Sequence, residues 1–285
     1  MFKKNLLLLL TAFIWGFDFV AQHVAMDSIG PAFFCFIRFS IASFVMLAVV
    51  LVRNKKDDDK SYIKYGVISG LVLFFATYFQ QYGLVTIAPG KSGFISALYI
   101  VFVPILSLFV KKEKPTIKLW LCVGVALFGL YLLTYKGSLL FEIGDLSTLV
   151  SAFLYSIQIL LIDKYCPGID PYKYNFVQFA VTAVLSFVCV FVTNETMSAV
   201  ALKDCVFPIL YVSVIGTCVS YMFQTLGQIN NNPTIASLIM SLESVFAVLS
   251  GYLILNSKLQ GKEIIGCVLI FIAIISVQLP NKKKN

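Results

Sequence analysis

Glu243 is a carboxyl set in an apolar segment with no opposite charge on the neighbouring turns, where residues 239, 240, 246 and 247 are Ile, Met, Phe and Ala. Removed from water, such a group is neutral unless a bound cation or hydrogen-bond donors keep it ionised, and either state suits proton exchange or recognition of a cationic ligand. Asp18 and Arg38 are the other charges embedded in apolar sequence. They could clamp two segments together, the reading favoured here, or Arg38 could receive a substrate carboxylate. Polar residues recur around these charges at helical spacing. Thr11, Trp15, Asp18 and Gln22 share one side of a helix of ~3.6 residues per turn, as do Ser147, Ser151, Tyr155 and Gln158, and also Ser213, Thr217, Ser220, Gln224 and Gln228. Three long stripes exceed what interhelical hydrogen bonding alone requires, so a common polar cavity is expected. The one histidine, His23, is read as an interfacial polar residue. The seven cysteines are scattered without a C-x-x-C spacing, and no HExxH, Ser/His/Asp or metal-ligand cluster is present. Neither a catalytic site nor a metal or other cofactor is expected.

The elements that hold these residues follow from composition. The chain is 59% hydrophobic and 13% charged, whereas an ordinary soluble domain carries roughly 25% charged residues. Apolar stretches run over about 5–25, 31–52, 62–86, 91–110, 117–135, 146–163, 171–193, 206–229, 233–256 and 262–280, separated by Pro, Gly, Asn and charge clusters. The pattern predicts an all-α integral membrane protein with ten transmembrane helices. Lys3-Lys4 before Leu6–Leu10 resembles a signal peptide, but no small-x-small cleavage site follows, so this segment is read as the first span.

Of the 22 lysines and arginines, sixteen fall on the side of the N-terminus, five (Lys91, Lys136, Lys203, Lys258 and Lys262) on the opposite side, and Arg38 within a span. The positive-inside rule then puts both termini in the cytoplasm of a multi-pass plasma (inner) membrane protein. With that orientation Asp18 and Arg38 both lie ~11 Å below the outer surface, close enough to pair, and Glu243 lies ~15 Å along its span, near the midplane. The net charge of +8 comes from lysines flanking apolar segments rather than one aromatic-interleaved patch, so nucleic acid is not an expected partner.

The sequence also repeats. A shift of 140 places Thr11–Trp15 on Ser151–Tyr155, Pro31 on Pro171 and Phe39 on Phe179, and a shift of 144 places Ser69 on Ser213, Gln80 on Gln224, Gly83 on Gly227 and Pro89 on Pro233. Five spans per copy is odd, so the copies must cross the membrane in opposite senses. The expected organisation is a first five-helix repeat over 1–136, a linker over 137–145 and a second repeat over 146–285. In the second copy Asp18 and Arg38 become Gln158 and Gln178, both neutral, and Glu243 answers to Tyr99. Gly66 and Gly70 form a G-x-x-x-G whose expected use is internal packing.

Five-plus-five spans, Trp15-Gly16 in span 1, Arg38-Phe39 in span 2, the proline between spans 3 and 4, and Glu113 with Pro115 before a Gly-rich span 5 resemble the EamA branch of the drug/metabolite transporter superfamily over almost the whole chain. One departure is Ser257 where the first copy has Glu113, so that glutamate is read as a loop residue. The resemblance implies that spans 3, 4, 8 and 9, with 1 and 6, enclose the pathway, while 5 and 10 brace it. The expected function is alternating-access transport of a small polar or amphiphilic metabolite, amino-acid-like or cationic/zwitterionic, by export or exchange. Glu243 would bind a cationic group or proton; Trp15, Tyr99 and Tyr155 would supply aromatic walls; Gln80, Gln158, Ser213, Thr217, Ser220 and Gln224 would supply hydrogen bonds. The bilayer, the substrate and a proton or exchanged metabolite are the expected partners, for a monomer or weak homodimer. A lipid-linked sugar flippase is the alternative, and a membrane enzyme or a channel fits less well, since no catalytic constellation or ring of like charge is present.

Overall fold

The computed structural model describes residues 2–26, 28–55, 59–110, 116–134, 142–196, 203, 205–255 and 261–278. Glu113, Pro115, Ser257, Lys111, Lys136, Lys258 and the first five positions of the expected 137–145 linker lie outside them. Twelve helices, and no strand, make up the described residues. They are α1 (Phe2–Met26), α2 (Pro31–Arg53), α3 (Ser61–Thr86), α4 (Pro89–Ser96), α5 (Tyr99–Val110), α6 (Ile117–Thr134), α7 (Ile143–Tyr165), α8 (Pro171–Val192), α9 (Val206–Gln228), α10 (Pro233–Met240), α11 (Glu243–Leu255) and α12 (Gly261–Gln278). Eight helical segments, counting α4–α5 and α10–α11 as one each, are long and apolar enough to cross a bilayer, and Ile117–Leu132 is a shorter apolar helix.

Local signals explain the boundaries. Pro31, Pro89, Pro171 and Pro233 open their helices, where the missing N–H is no loss. Asp170 and Asn232 cap α8 and α10 by accepting hydrogen bonds from the first-turn N–H groups. Asn54, in the left-handed region at φ 42°, closes α2. α7 starts at Ile143, three residues before the expected span, because the Asp145 carboxylate accepts from Glu142 N at 2.8 Å and draws the entry of the helix backwards.

The molecule turns large apolar side chains outward and buries many polar ones among its core residues. Phe44, Phe109, Leu121 and Phe191 face outward, while Gln80, Gln81, Gln158, Gln178, Gln224 and Gln228 are buried. Water would reverse that arrangement; hydrocarbon demands it, because polar groups there must find partners inside the protein. Small residues let the helices close on one another. Gly66 and Gly70 bring α3 against Val177 and Val181 of α8, which is internal packing. Gly16 takes α1 up to the backbone of Phe246 and Ala247 in α11, where an added Cβ has no room.

Helix pairing is patterned. α2 packs on α8 and α6 on α12; α3 packs on α7, and α1 on α9; α4 and α5 pack on α7, and α10 and α11 on α1. The two broken segments are built alike. Each opens on proline, runs for eight residues, tightens at Ala97-Leu98 or Ser241-Leu242, and resumes at Tyr99 or Glu243. At the break, Leu98 N bonds Ile95 O at 3.1 Å and Leu242 N bonds Ile239 O at 3.2 Å, three-residue closures that narrow the helix.

Candidate functional site

A polar cavity lies between α1, α2, α3, α4–α5, α7, α9 and α10–α11. Trp15, Asp18, Phe19, Gln22, Arg38, Gln80, Ser96, Tyr99, Tyr155, Ile159, Tyr221, Gln224 and Glu243 line it. The centre of a water molecule has about 30 Å³ in which to move. That admits very few waters, given that one needs roughly 10–15 Å³, and no metabolite in this arrangement of the helices.

Glu243 is 4% exposed and enters the cavity from the first turn of α11. Its position follows from the tight turn at Ser241-Leu242, which ends α10 and presents the next residue inward. Among the described residues it forms no ion pair. The Tyr99 hydroxyl is the side-chain group set against its carboxyl, without reaching hydrogen-bond geometry. Tyr99 occupies the corresponding place after the α4–α5 turn, so the two breaks deliver these two groups to one another.

Arg38 and Asp18 meet. The guanidinium Nη2 is 3.3 Å from Asp18 Oδ2, and both residues are buried. Arg38 Nε donates to Thr217 Oγ1 at 2.6 Å, and Gln22 Nε2 donates to Asp18 Oδ2 at 2.5 Å. Gln81 Nε2 donates in turn to Gln22 Oε1, extending the chain of partners to α3. Room for the carboxylate comes from Gly216, whose missing side chain leaves the space that the Asp18 carboxyl fills. Gly216 and Thr217 belong to a π-helical stretch, Tyr211–Val219, in which Thr217 Oγ1 donates to Val212 O, five residues back. Wide turns of this kind are frequent at functional positions. The pair is not saturated: Arg38 Nη1 and Asp18 Oδ1 are buried without a partner among the described residues.

The remaining polar groups form a second network. Tyr155 OH donates to Gln80 Oε1 at 3.1 Å, and Gln80 Nε2 donates to Ser96 Oγ at 3.0 Å. Tyr221 OH lies 3.4 Å from Tyr155 OH, and Trp15 meets the Tyr221 ring edge-on at 5.2 Å between centroids. Trp15 Nε1 donates to Ser220 Oγ at 2.8 Å, which fixes the indole against α9.

Of the residues singled out in the sequence, Glu243, Trp15, Tyr99, Tyr155, Gln80, Gln224, Asp18 and Arg38 are therefore gathered around one space. Four are not on its wall. Gln158 sits behind it, accepting from Gln224 Nε2 at 3.1 Å; Ser220 holds Trp15; Thr217 holds Arg38; and Ser213 donates to Ile209 O inside its own helix. Tyr221, Ile159, Phe19 and Ser96, absent from the sequence-based set, take part in the wall, and Gln22 had been placed only on a stripe. His23 lies outside the cavity wall, with Nδ1 3.4 Å from Leu84 O.

A multi-pass helical membrane protein with polar groups gathered around one interior cavity has the build of a membrane transporter. This chain belongs to the EamA-like transporter family, whose sequence pattern matches residues 2–135 and 142–278. A protein of Archaeoglobus fulgidus described as an uncharacterized transporter is 32% identical over 274 residues, covering 95% of this chain and 84% of that one. The uncharacterized transporter YoaV of Bacillus subtilis is 26% identical over 282 residues, 95% of this chain and 94% of its own. A crystal structure with 16% identity superposes with a TM-score of 0.80 over 96% of each chain, which is a likeness of fold.

Proposed function

We propose that the chain is an alternating-access carrier of a small zwitterionic or cationic metabolite, working by export or exchange rather than by catalysis. The observation that carries this reading is that, among the described residues, a buried carboxyl without an ion-pair partner, Glu243, and a buried guanidinium with a spare donor, Arg38 Nη1, line the same cavity. A zwitterion offers each of them the partner it lacks, and Trp15, Tyr99, Tyr155 and Tyr221 give its body aromatic contact. Because the cavity is too small for such a molecule as it stands, binding requires the helices to part, and the tight turns before Tyr99 and Glu243 are the natural places for that movement.

In this reading the helices form ten spans, five in each of two repeats of opposite sense. The exchange of α3–α7 packing for α1–α9, and of α4–α5 on α7 for α10–α11 on α1, supports it, as do the matched breaks. Both termini are placed in the cytoplasm of the plasma membrane. A cysteine introduced at 203 should then react with an impermeant reagent in intact cells lacking the native cysteines, while one at 164 should be protected; the opposite result reverses the orientation.

Counterflow in proteoliposomes tests the function itself. Vesicles loaded with a mixture of amino acids and related zwitterions should accumulate tracer transiently, only when the inside pool contains the substrate. A channel gives no such overshoot, and release of a chemically altered product would identify an enzyme. A lateral path for a lipid-linked sugar remains the second reading, distinguished by scrambling of a labelled polyprenyl glycolipid.

A further inference from the structure

We infer that the end of the bundle where α2, α3, α7 and α8 meet is a binding site for the headgroups of anionic phospholipids. Among the described residues it carries six cations, Arg53, Lys55, Lys60, Lys64, Lys164 and Lys173, against the three acids Asp59, Asp163 and Asp170. Asp170 is already committed: its Oδ1 caps α8, and its Oδ2 lies 3.8 Å from both Arg53 and Lys55. Among the described residues the opposite end has no such excess. Its described charges include Lys91, Lys203 and Lys262 against Glu142, Asp145, Glu195 and Glu263.

Tyrosines order these cations. Arg53 Cζ sits 3.7 Å from the centre of the Tyr172 ring, Lys173 Nζ 5.4 Å from Tyr62, Lys64 Nζ 5.9 Å from Tyr65 and Lys164 Nζ 5.1 Å from Tyr165. Tyr65 and Tyr165 themselves stack at 4.1 Å with 12° between their planes, sealing the seam between α3 and α7. All four rings are half-buried, while Lys64 and Lys164 are exposed beside them. Amphipathic rings of this kind settle at headgroup depth, and lysines held over them stand where lipid phosphates lie. A phosphodiester complements the excess of cations among the described residues at this end, and its acyl chains continue onto the outward apolar surface of the same helices, including Val52 and Ile63. A soluble anion would gain nothing from that second half of the surface.

The experiment uses the intact protein in nanodiscs of phosphatidylcholine, with and without phosphatidylglycerol, reading the melting temperature and the lipids retained in native mass spectrometry. Phosphatidylglycerol should raise the melting temperature and remain bound to the wild type. The variant with Lys64→Gln, Lys164→Gln and Lys173→Gln should lose both effects, whereas the three Lys→Arg changes should keep them. If the triple glutamine variant does not fold, the single changes Lys64→Gln and Lys164→Gln should each lose part of the shift. Three results overturn the inference. One is an undiminished phosphatidylglycerol effect in the glutamine variants, and another is an equal loss in a control with Lys203→Gln and Lys262→Gln. The third is the full shift produced by inorganic phosphate in phosphatidylcholine alone, which would make this a site for a soluble anion.

Discussion

Glu243→Gln is expected to leave a folded, monodisperse membrane protein that has lost the pH dependence of transport and most of its affinity for cationic or zwitterionic substrates. The amide keeps the shape of the carboxyl and its place after the Ser241-Leu242 turn, so the packing of α11 on α1 through Gly16 is undisturbed. It removes the charge and the titration together. A hydrogen bond to a charged group contributes roughly 1.5–3 kcal/mol, so binding should weaken by about one to two orders of magnitude. Isothermal titration on the purified variant reads the affinity, and tracer uptake across a pH series reads the coupling. An unaltered pH profile would make Glu243 a bystander to the carrier cycle, and a misfolded variant would make it a structural hydrogen-bonding group.

The second large effect is expected at the buried pair. Arg38→Gln alone leaves the Asp18 carboxylate with the Gln22 amide but no cation, and breaking a buried ion pair from one side costs about 3–5 kcal/mol. Asp18→Gln alone leaves the guanidinium with Thr217 as its remaining side-chain hydrogen-bond partner. The double variant, Asp18→Gln with Arg38→Gln, should recover more than half of the stability lost in either single variant, because it leaves no unpaired charge in the interior. Thermal unfolding of the four proteins closes the cycle. Additive losses would instead mean that the pair contributes little and that Arg38 acts chiefly on substrate. Recovery of stability without recovery of binding is the outcome expected if Arg38 does both, and its unpartnered Nη1 is the reason to measure the two quantities separately.

How much of this could be read beforehand depended on the kind of signal. Ends of helices were written in local chemistry, with proline at the first turn and Asp170, Asn232 and Asn54 at the caps, and those boundaries fall within a few residues of expectation. The interruptions at Ala97-Leu98 and Ser241-Leu242 were not written in this way. Neither contains glycine or proline, and each preserves hydrogen bonding by a three-residue closure, so the apolar run passes through without a mark. The stripe on α9 misled for a different reason. It assumed an unbroken α-helical turn, but residues 211–219 are wound as a π-helix, which carries Ser213 and Thr217 away from the line of Gln224. On α7 the polar pattern pointed to Tyr155 and Gln158; Tyr155 reaches the wall, but it is joined there by Ile159, one turn on, rather than by Gln158. An isoleucine facing a polar cavity has no signature of its own. Tyr221 was hidden similarly, as an aromatic residue among many in a membrane protein.

The buried pair has a bearing on how the chain is made. Asp18 and Arg38 are 20 residues apart, on the consecutive helices α1 and α2, well ahead of α9 in the chain. Each alone would burden its helix during insertion by about 2.5–3.5 kcal/mol, and a translocon handling them singly would meet that penalty twice. Entering as a hairpin, they can neutralise one another while α9, with Thr217 and the space above Gly216, is still unmade. Thr217 and the space beside Gly216 come only with α9, so the partners that fix this pair are made after the pair itself.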